Sequence, residues 1–241
     1  MPPQVFLSGA NQPWINYGND FGNGQTNGQA CALQSYLKNI SDAGGNSARI
    51  WLFVEGDSIP EWDASGHVVS TDKANTLIPE LKTYLQYAAS VNVFVNLCLW
   101  NGAVLRNERA VAIMSGVNDT SGTKLQSYLD KALVPLVTAL KGEPGLGAWE
   151  LMNEPEGSLA ITADAAEPCW DTKAALGNTG AGWAGHHYTM RQIQNFFAAQ
   201  AAAIHLADPK VGDSPRPASS PSPRPIQHTN HRPPRGARRR W

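Results

Sequence analysis

The 241-residue chain is short of cysteine, of long apolar runs and, in its last segment, of acid, and each shortage excludes something. Cys31, Cys98 and Cys169 lie far apart with no CxxC spacing, so neither a zinc knuckle nor a dense disulfide scaffold is indicated, and an odd count leaves at least one thiol unpaired. No apolar run approaches the roughly 18 residues of a membrane helix. The start, Met1-Pro2-Pro3-Gln4, has neither the basic nor the apolar region of a signal peptide. The net charge of −1 conceals a split: Met1 to Gly212 holds 19 acids against 12 bases, whereas Asp213 to Trp241 holds one acid and seven arginines. That last segment is Pro, Ser and Arg without an apolar period, so residues 213–241 read as a disordered tail. With one aromatic and no folded platform it makes no specific nucleic-acid binder, and a frameshift or gene-model junction is the rival explanation.

Ahead of the tail, strand-like and helix-like patterns alternate. The first strand candidate is Val5 to Ser8, followed by an Asn- and Gly-rich loop from Asn11 to Asn27. Leu33, Leu37 and Ile40 then recur at helical spacing, with Gly44-Gly45 as a stop. A second round pairs Ala48 to Val54 with the stripe Leu77, Leu81, Tyr84, Leu85 and Ala88. The third pairs the apolar run Val91 to Trp100 with Leu125, Leu129, Leu133, Leu136 and Leu140, a helix in which Pro135 predicts a kink or boundary. The fourth pairs Ala148 to Asn153 with a helix carrying Ile193, Phe196, Phe197 and Ile204, where Thr189 and Gln192 have capping-box spacing. Continuous apolar strands alternating with helices imply an α/β fold with a parallel sheet. Four such units fill about 210 residues, with long loops after the strands, where barrel enzymes place their active sites.

The strand Trp149-Glu150-Leu151-Met152 ends on the corner Asn153-Glu154-Pro155. Proline forbids further pairing, and a carboxyl at the tip of a buried strand is placed for proton transfer, against the ordinary alternative of an exposed loop acid. Strict alternation puts Glu150, Met152 and Glu154 on one side, with Leu151 and Asn153 on the other. Glu150 then sits deeper, and a buried carboxylate needs a partner; Arg49, at the head of an equally apolar strand, is a candidate partner for either acid, Glu150 or Glu154, as structural ion pair or as active-site clamp. Trp100-Asn101-Gly102 closes the third strand similarly, offering an aromatic face and an amide suited to a sugar, with a core tryptophan as the alternative. His186-His187 beside Trp183 could mimic a metal site, but adjacent histidines point apart and no carboxylate lies at ligand spacing, so they shape a loop; neither metal nor cofactor is expected.

Phe6 to Trp14, Gly45 to Trp51, Leu99 to Ala103, Trp149 to Gly157, Glu167 to Cys169 and Gly180 to His186 together resemble glycoside hydrolase family 5, nearest to the animal, mollusc-type endo-β-1,4-mannanases. The resemblance spans nearly all of Val5 to Val211. It implies a (β/α)8 TIM barrel of which residues 1–212 carry the first four units, a retaining mechanism, secretion, and β-mannan as the partner, with no nucleic acid or membrane. It makes Glu154 the general acid/base, Asn153 a contact to the reacting sugar and Arg49 a neighbour beneath the nucleophile, whose own place, on a seventh strand, is absent. Retention requires two carboxyls about 5 to 5.5 Å apart. Glu55 and Asp57 are strand-end carboxylates too, but nothing in the resemblance makes either a nucleophile. The chain is accordingly expected to be truncated and inactive alone, with Cys169 separated from any disulfide partner. A family 5 β-1,4-glucanase and a non-catalytic carbohydrate binder stand as alternatives.

Overall fold

A computed structural model describes residues 6–102, 107–116, 121–164 and 166–210. The expected tail, 213–241, lies outside the described residues. In chain order the strands are β1 (Gly9–Asn11), β2 (Ser47–Val54), β3 (Glu61–Trp62), β4 (Val68–Ser70), β5 (Phe94–Asn101) and β6 (Leu146–Asn153). The α-helices are α1 (Ala30–Asp42), α2 (Leu77–Ser90), α3 (Glu108–Ser115), α4 (Thr123–Tyr128), α5 (Val134–Leu140), α6 (Thr172–Leu176) and α7 (Met190–Ala207).

Strands β1, β2, β5 and β6 form one sheet in that order, every neighbouring pair parallel. The alternation of apolar runs and helical stripes therefore reads out directly as topology. Each helical stripe is buried against the sheet: Leu33, Leu37 and Ile40 from α1; Leu77, Leu81, Tyr84, Leu85 and Ala88 from α2; Leu136 and Leu140 from α5; Ile193, Phe196 and Ile204 from α7. Pro135 falls in the first turn of α5, and the preceding turn, Leu129–Leu133, widens to π-helical. Proline has no N–H to give the carbonyl four residues back, and the wider turn absorbs that loss. Thr189 and Gln192 cap α7 reciprocally, with Gln192 N–H on Thr189 Oγ1 at 3.2 Å and Thr189 N–H on Gln192 Oε1 at 2.8 Å.

Three expectations need correction. Among the described residues the first strand is Gly9–Asn11; Phe6 to Ser8, the described part of the expected Val5 to Ser8, are not strand, and Val5 lies outside the described residues. A side chain at Gly9 would land on the Ser47 carbonyl, so this glycine is what lets β1 approach β2. Between β2 and α2 the chain inserts the antiparallel pair β3 and β4, and between β5 and α4 it inserts α3. Strict side-chain alternation also fails near the strand ends. Leu52 and Phe53 both join the helix-side core, as do Leu99 and Trp100, and Met152 joins it with Leu151 packed against it. β2 spends three steps from Trp51 to Val54 where β5 spends two from Cys98 to Trp100, a bulge that shifts the register.

The Asn- and Gly-rich loop is tied down by carboxylates. Asp20 accepts the N–H groups of Ile15 and Asn16, each at 2.8 Å, and Glu80 accepts that of Gly22 at 2.6 Å. Asp72 is fully buried and accepts N–H groups from Asn23 (2.9 Å), Thr76 (2.9 Å) and Leu77 (3.2 Å), joining this loop to the start of α2. Burial pushes its pKa up, but these donors outweigh burial and hold it below the ordinary carboxylate value. A depressed folded-state pKa contributes stability that is present above the unfolded value of about 3.9 and is lost as pH falls through the folded one. Asp72→Ala is expected to cost about 2–4 kcal/mol at neutral pH, because buried amides lose their acceptor. In urea titrations the gap from the parent protein should narrow below about pH 4; a gap constant with pH would refute the charge argument.

Candidate active site

Glu55, Asn101, Asn153 and Glu154 gather at the carboxyl ends of β2, β5 and β6, with Arg49 and Glu150 beneath them from within β2 and β6 and Tyr17 joining from the Asn- and Gly-rich loop. Arg49 grips Glu150 with two guanidinium nitrogens, Nε to Oε2 at 2.6 Å and Nη2 to Oε1. Such a planar fork suits a carboxylate, and the hydrogen bond to Glu150 raises the guanidinium pKa beyond its already high value. Nη2 also donates to Asn153 Oδ1 at 3.0 Å, and Nη1 to Asn11 Oδ1 at 3.1 Å. Arg49 is thus the hub of three sheet strands, and of the two acids the sequence left open to it, the one it pairs with is Glu150. Behind it Cys98 is buried, its thiol pushed up to about 12 by burial and by the Glu150 charge, which leaves it an inert filler of the inner face.

Glu154 leaves the ladder abruptly. Its backbone is left-handed, φ 45° and ψ 53°, and a short 3₁₀ turn, Pro155–Ser158, follows, closed by the Gly157 N–H on the Glu154 carbonyl at 3.1 Å. The side chain stands exposed at the strand tip, and Asn153 Nδ2 donates to its Oε2 at 3.3 Å. Left-handed backbone is uncommon for a non-glycine residue, and such strain gathers at functional sites. The same device recurs at the end of β2: Val54, β-branched, has φ 55° immediately before Glu55. Beside it lies a cleft of about 390 Å³ lined by Tyr17, Asn19, Glu55, Asp57 and Ser58 among others.

Glu55, Asn101 and Tyr17 complete the polar floor. Tyr17 donates its hydroxyl to Glu55 Oε1 at 2.7 Å and accepts from Asn101 Nδ2 at 3.1 Å, and Asn153 Nδ2 donates to Asn101 Oδ1 at 3.3 Å. Tyr17 itself rests edge-on against Trp14, which in turn packs on Trp51. No sequence pattern pointed to Tyr17; a tyrosine in a loop of Asn and Gly was the available signal.

Trp100, expected to offer a face to sugar, is instead a core residue. It has no exposed surface, its indole N–H goes to Tyr128 Oη at 3.0 Å, and it stacks among Phe53, Tyr128 and Phe196. The slipped alternation that sends both Leu99 and Trp100 to the helix side is the reason. An exposed aromatic does lie beside the turn that follows Glu154: Trp183, 53% exposed. Its ring lies on Gly157, where a Cβ would come within 2.7 Å of it, and the loop is sewn to the turn by Gly182 N–H on Glu156 O (3.0 Å) and Ala184 N–H on Gly157 O (2.8 Å). His187 Nε2 meets the Gly182 carbonyl at 2.9 Å, a loop-shaping contact, and His, Cys, Asp and Glu form no metal-binding group among the described residues.

No family model matches the chain. It is 46% identical over 205 residues to the mannan endo-1,4-β-mannosidase of Mytilus edulis, covering 85% of this chain and 54% of that protein. To the enzyme of the same name from Cryptopygus antarcticus it is 44% identical over 208 residues, 86% of this chain and 53% of the relative. The crystal structure of the Cryptopygus antarcticus β-1,4-D-mannanase superposes with a TM-score of 0.80, covering 86% of this chain and 55% of that one. The Eisenia fetida endo-1,4-β-mannanase gives 0.81 at 45% identity, over 86% and 56%. A GH5_18 structure from Streptomyces cattleya, 12% identical with a TM-score of 0.52, shares the fold alone. The chain spans about half the length of the curated relatives it matches. Over that span it is a homologue of the mannan endo-1,4-β-mannosidases, with the α/β fold of their solved structures.

Proposed function

We propose that the protein carrying this chain is a retaining endo-β-1,4-mannanase of glycoside hydrolase family 5, working outside the cell on mannan or galactomannan. The observation that supports this reading best is Glu154: an exposed carboxyl turned off a strand tip by a left-handed residue, with an adjacent amide on its Oε2. Glu154 protonates the glycosidic oxygen of the leaving sugar, then takes a proton from the water that attacks the glycosyl-enzyme. Asn153, held by Arg49 through its carbonyl, can pass the amide hydrogen it gives Glu154 to a hydroxyl of the reacting ring. Arg49 holds the floor of the site and contributes positive charge beneath it.

The attacking carboxylate must stand about 5 to 5.5 Å from the acid. Glu150 is engaged by both nitrogens of the Arg49 fork, and Glu55 accepts the Tyr17 hydroxyl, so neither is assigned that part. The reading gives it to a residue outside this chain, in the rest of a TIM barrel whose first four units are present here. The purified 241-residue chain should therefore release no reducing sugar from galactomannan, whereas the full-length protein hydrolyses it. Release from the chain alone that disappears in Glu154→Gln would overturn the assignment of the nucleophile. Parallel rates on mannan and cellulose separate mannanase from glucanase; retention on mannan without hydrolysis by the full-length protein would leave only a binding role.

A further inference from the structure

We propose that Glu55 is a positioning residue for the acid at the end of β6, acting through Tyr17, Asn101 and Asn153; this rests on the reading of Glu154 given above. Four hydrogen bonds run in one direction across three strands. Arg49 Nη2 donates to Asn153 Oδ1 at 3.0 Å, Asn153 Nδ2 to Asn101 Oδ1 at 3.3 Å, Asn101 Nδ2 to Tyr17 Oη at 3.1 Å, and Tyr17 Oη to Glu55 Oε1 at 2.7 Å. A guanidinium, which only donates, stands at one end, and a carboxylate, which only accepts when ionised, at the other. The two charges fix the sense of every bond between them.

That sense matters because an asparagine amide can turn over, exchanging its donor and acceptor. Turning Asn101 would set its carbonyl against Asn153 no longer, and would oppose two donors there and two acceptors at Tyr17. With the chain intact, Asn153 keeps its Nδ2 toward Glu154 Oε2, at 3.3 Å, and its Oδ1 toward Arg49. Glu55 and Asn101 are buried, 6% and 3% exposed, where polarised chains of this kind are strongest. The left-handed Val54 and the register shift ahead of it aim Glu55 at Tyr17 rather than along the ladder.

The test uses the full-length protein with Glu55→Gln and Tyr17→Phe. Glutamine keeps the shape but can turn its own amide toward Tyr17; phenylalanine keeps the ring on Trp14 and cuts the chain. In both, kcat on galactomannan should fall about 10-fold with KM within about twofold, and the Asn153 side-chain amide pair should move in ¹⁵N–¹H spectra. The double variant should be no slower than Tyr17→Phe alone, since both act through one chain. An unmoved Asn153 amide, or losses in kcat that multiply in the double variant, would overturn the proposal. If the parent protein hydrolyses no mannan at all, the mannanase reading fails, while the amide pair still decides whether Glu55 orients Asn153.

Discussion

Glu154→Gln in the full-length protein is expected to lower galactomannan hydrolysis by about 10²- to 10⁴-fold, the usual contribution of a positioned general acid. Glutamine fits the same space, and the turn behind it depends on the main-chain bond from Gly157 to the Glu154 carbonyl, which the substitution leaves in place. Because the side chain is exposed, stability should change by no more than about 0.5 kcal/mol. A mannoside with a nitrophenolate leaving group needs no protonation to depart, so formation of the glycosyl-enzyme from it should be much less impaired than from mannan. Single-turnover rates on the two substrates make the comparison. Equal losses on both would mean that Glu154 serves binding or structure and not proton transfer.

The second large effect is expected at Arg49. Methionine has similar reach and no donors, so Arg49→Met strands the Glu150 carboxylate and frees the Asn153 amide to turn. The pair is only part-buried, with side chains 21% and 36% exposed, which puts the stability cost at about 1–3 kcal/mol rather than the larger figure for a fully enclosed pair. The activity cost should be greater, about 10²-fold or more, because Asn153 loses its orientation beside the acid. Arg49→Lys cannot span Glu150 and Asn153 with one fork and should recover little activity. The variant Arg49→Met with Glu150→Leu removes the stranded charge, so it should regain stability without regaining turnover. Recovery of both would reduce Arg49 to a structural counter-ion.

How far these features were legible in the sequence follows from the range of the forces involved. The buried helix faces were readable because i, i+3, i+4 spacing is a local signal, as Leu77, Leu81 and Leu85 illustrate. Strands β2 and β5 were readable because burial on both faces leaves a nearly continuous apolar run, and β6 because its shorter apolar stretch stops on the Asn-Glu-Pro corner. β3 and β4, two and three residues long, carry no period to detect. Helix α3 did have end signals, Asn107 at its start and a left-handed Gly116 at its end, but no long apolar stripe drew attention to it. In the site, the Asn153-Glu154-Pro155 corner announced itself by its abrupt stop, and Arg49 by its charge in an apolar strand. Trp100 was misplaced because alternation slips at the end of β5, where Leu99 and Trp100 both join the helix-side core, and such a slip leaves no compositional trace. Tyr17 joins Asn101 and Glu55 across long stretches of chain, so its role exists only once three strands and a loop have converged.

The indole of Trp183 laid over Gly157 makes two segments, far apart in sequence, heritable only as a unit. A larger residue at 157 would lift the loop, and a loop from a relative without a flat ring at that point would leave the turn behind the acid unsupported. Engineering that exchanges the loop around Trp183 to alter substrate range must therefore carry residue 157 with it, and a graft that ignores this partnership should fail at Glu154 before it ever reaches selectivity.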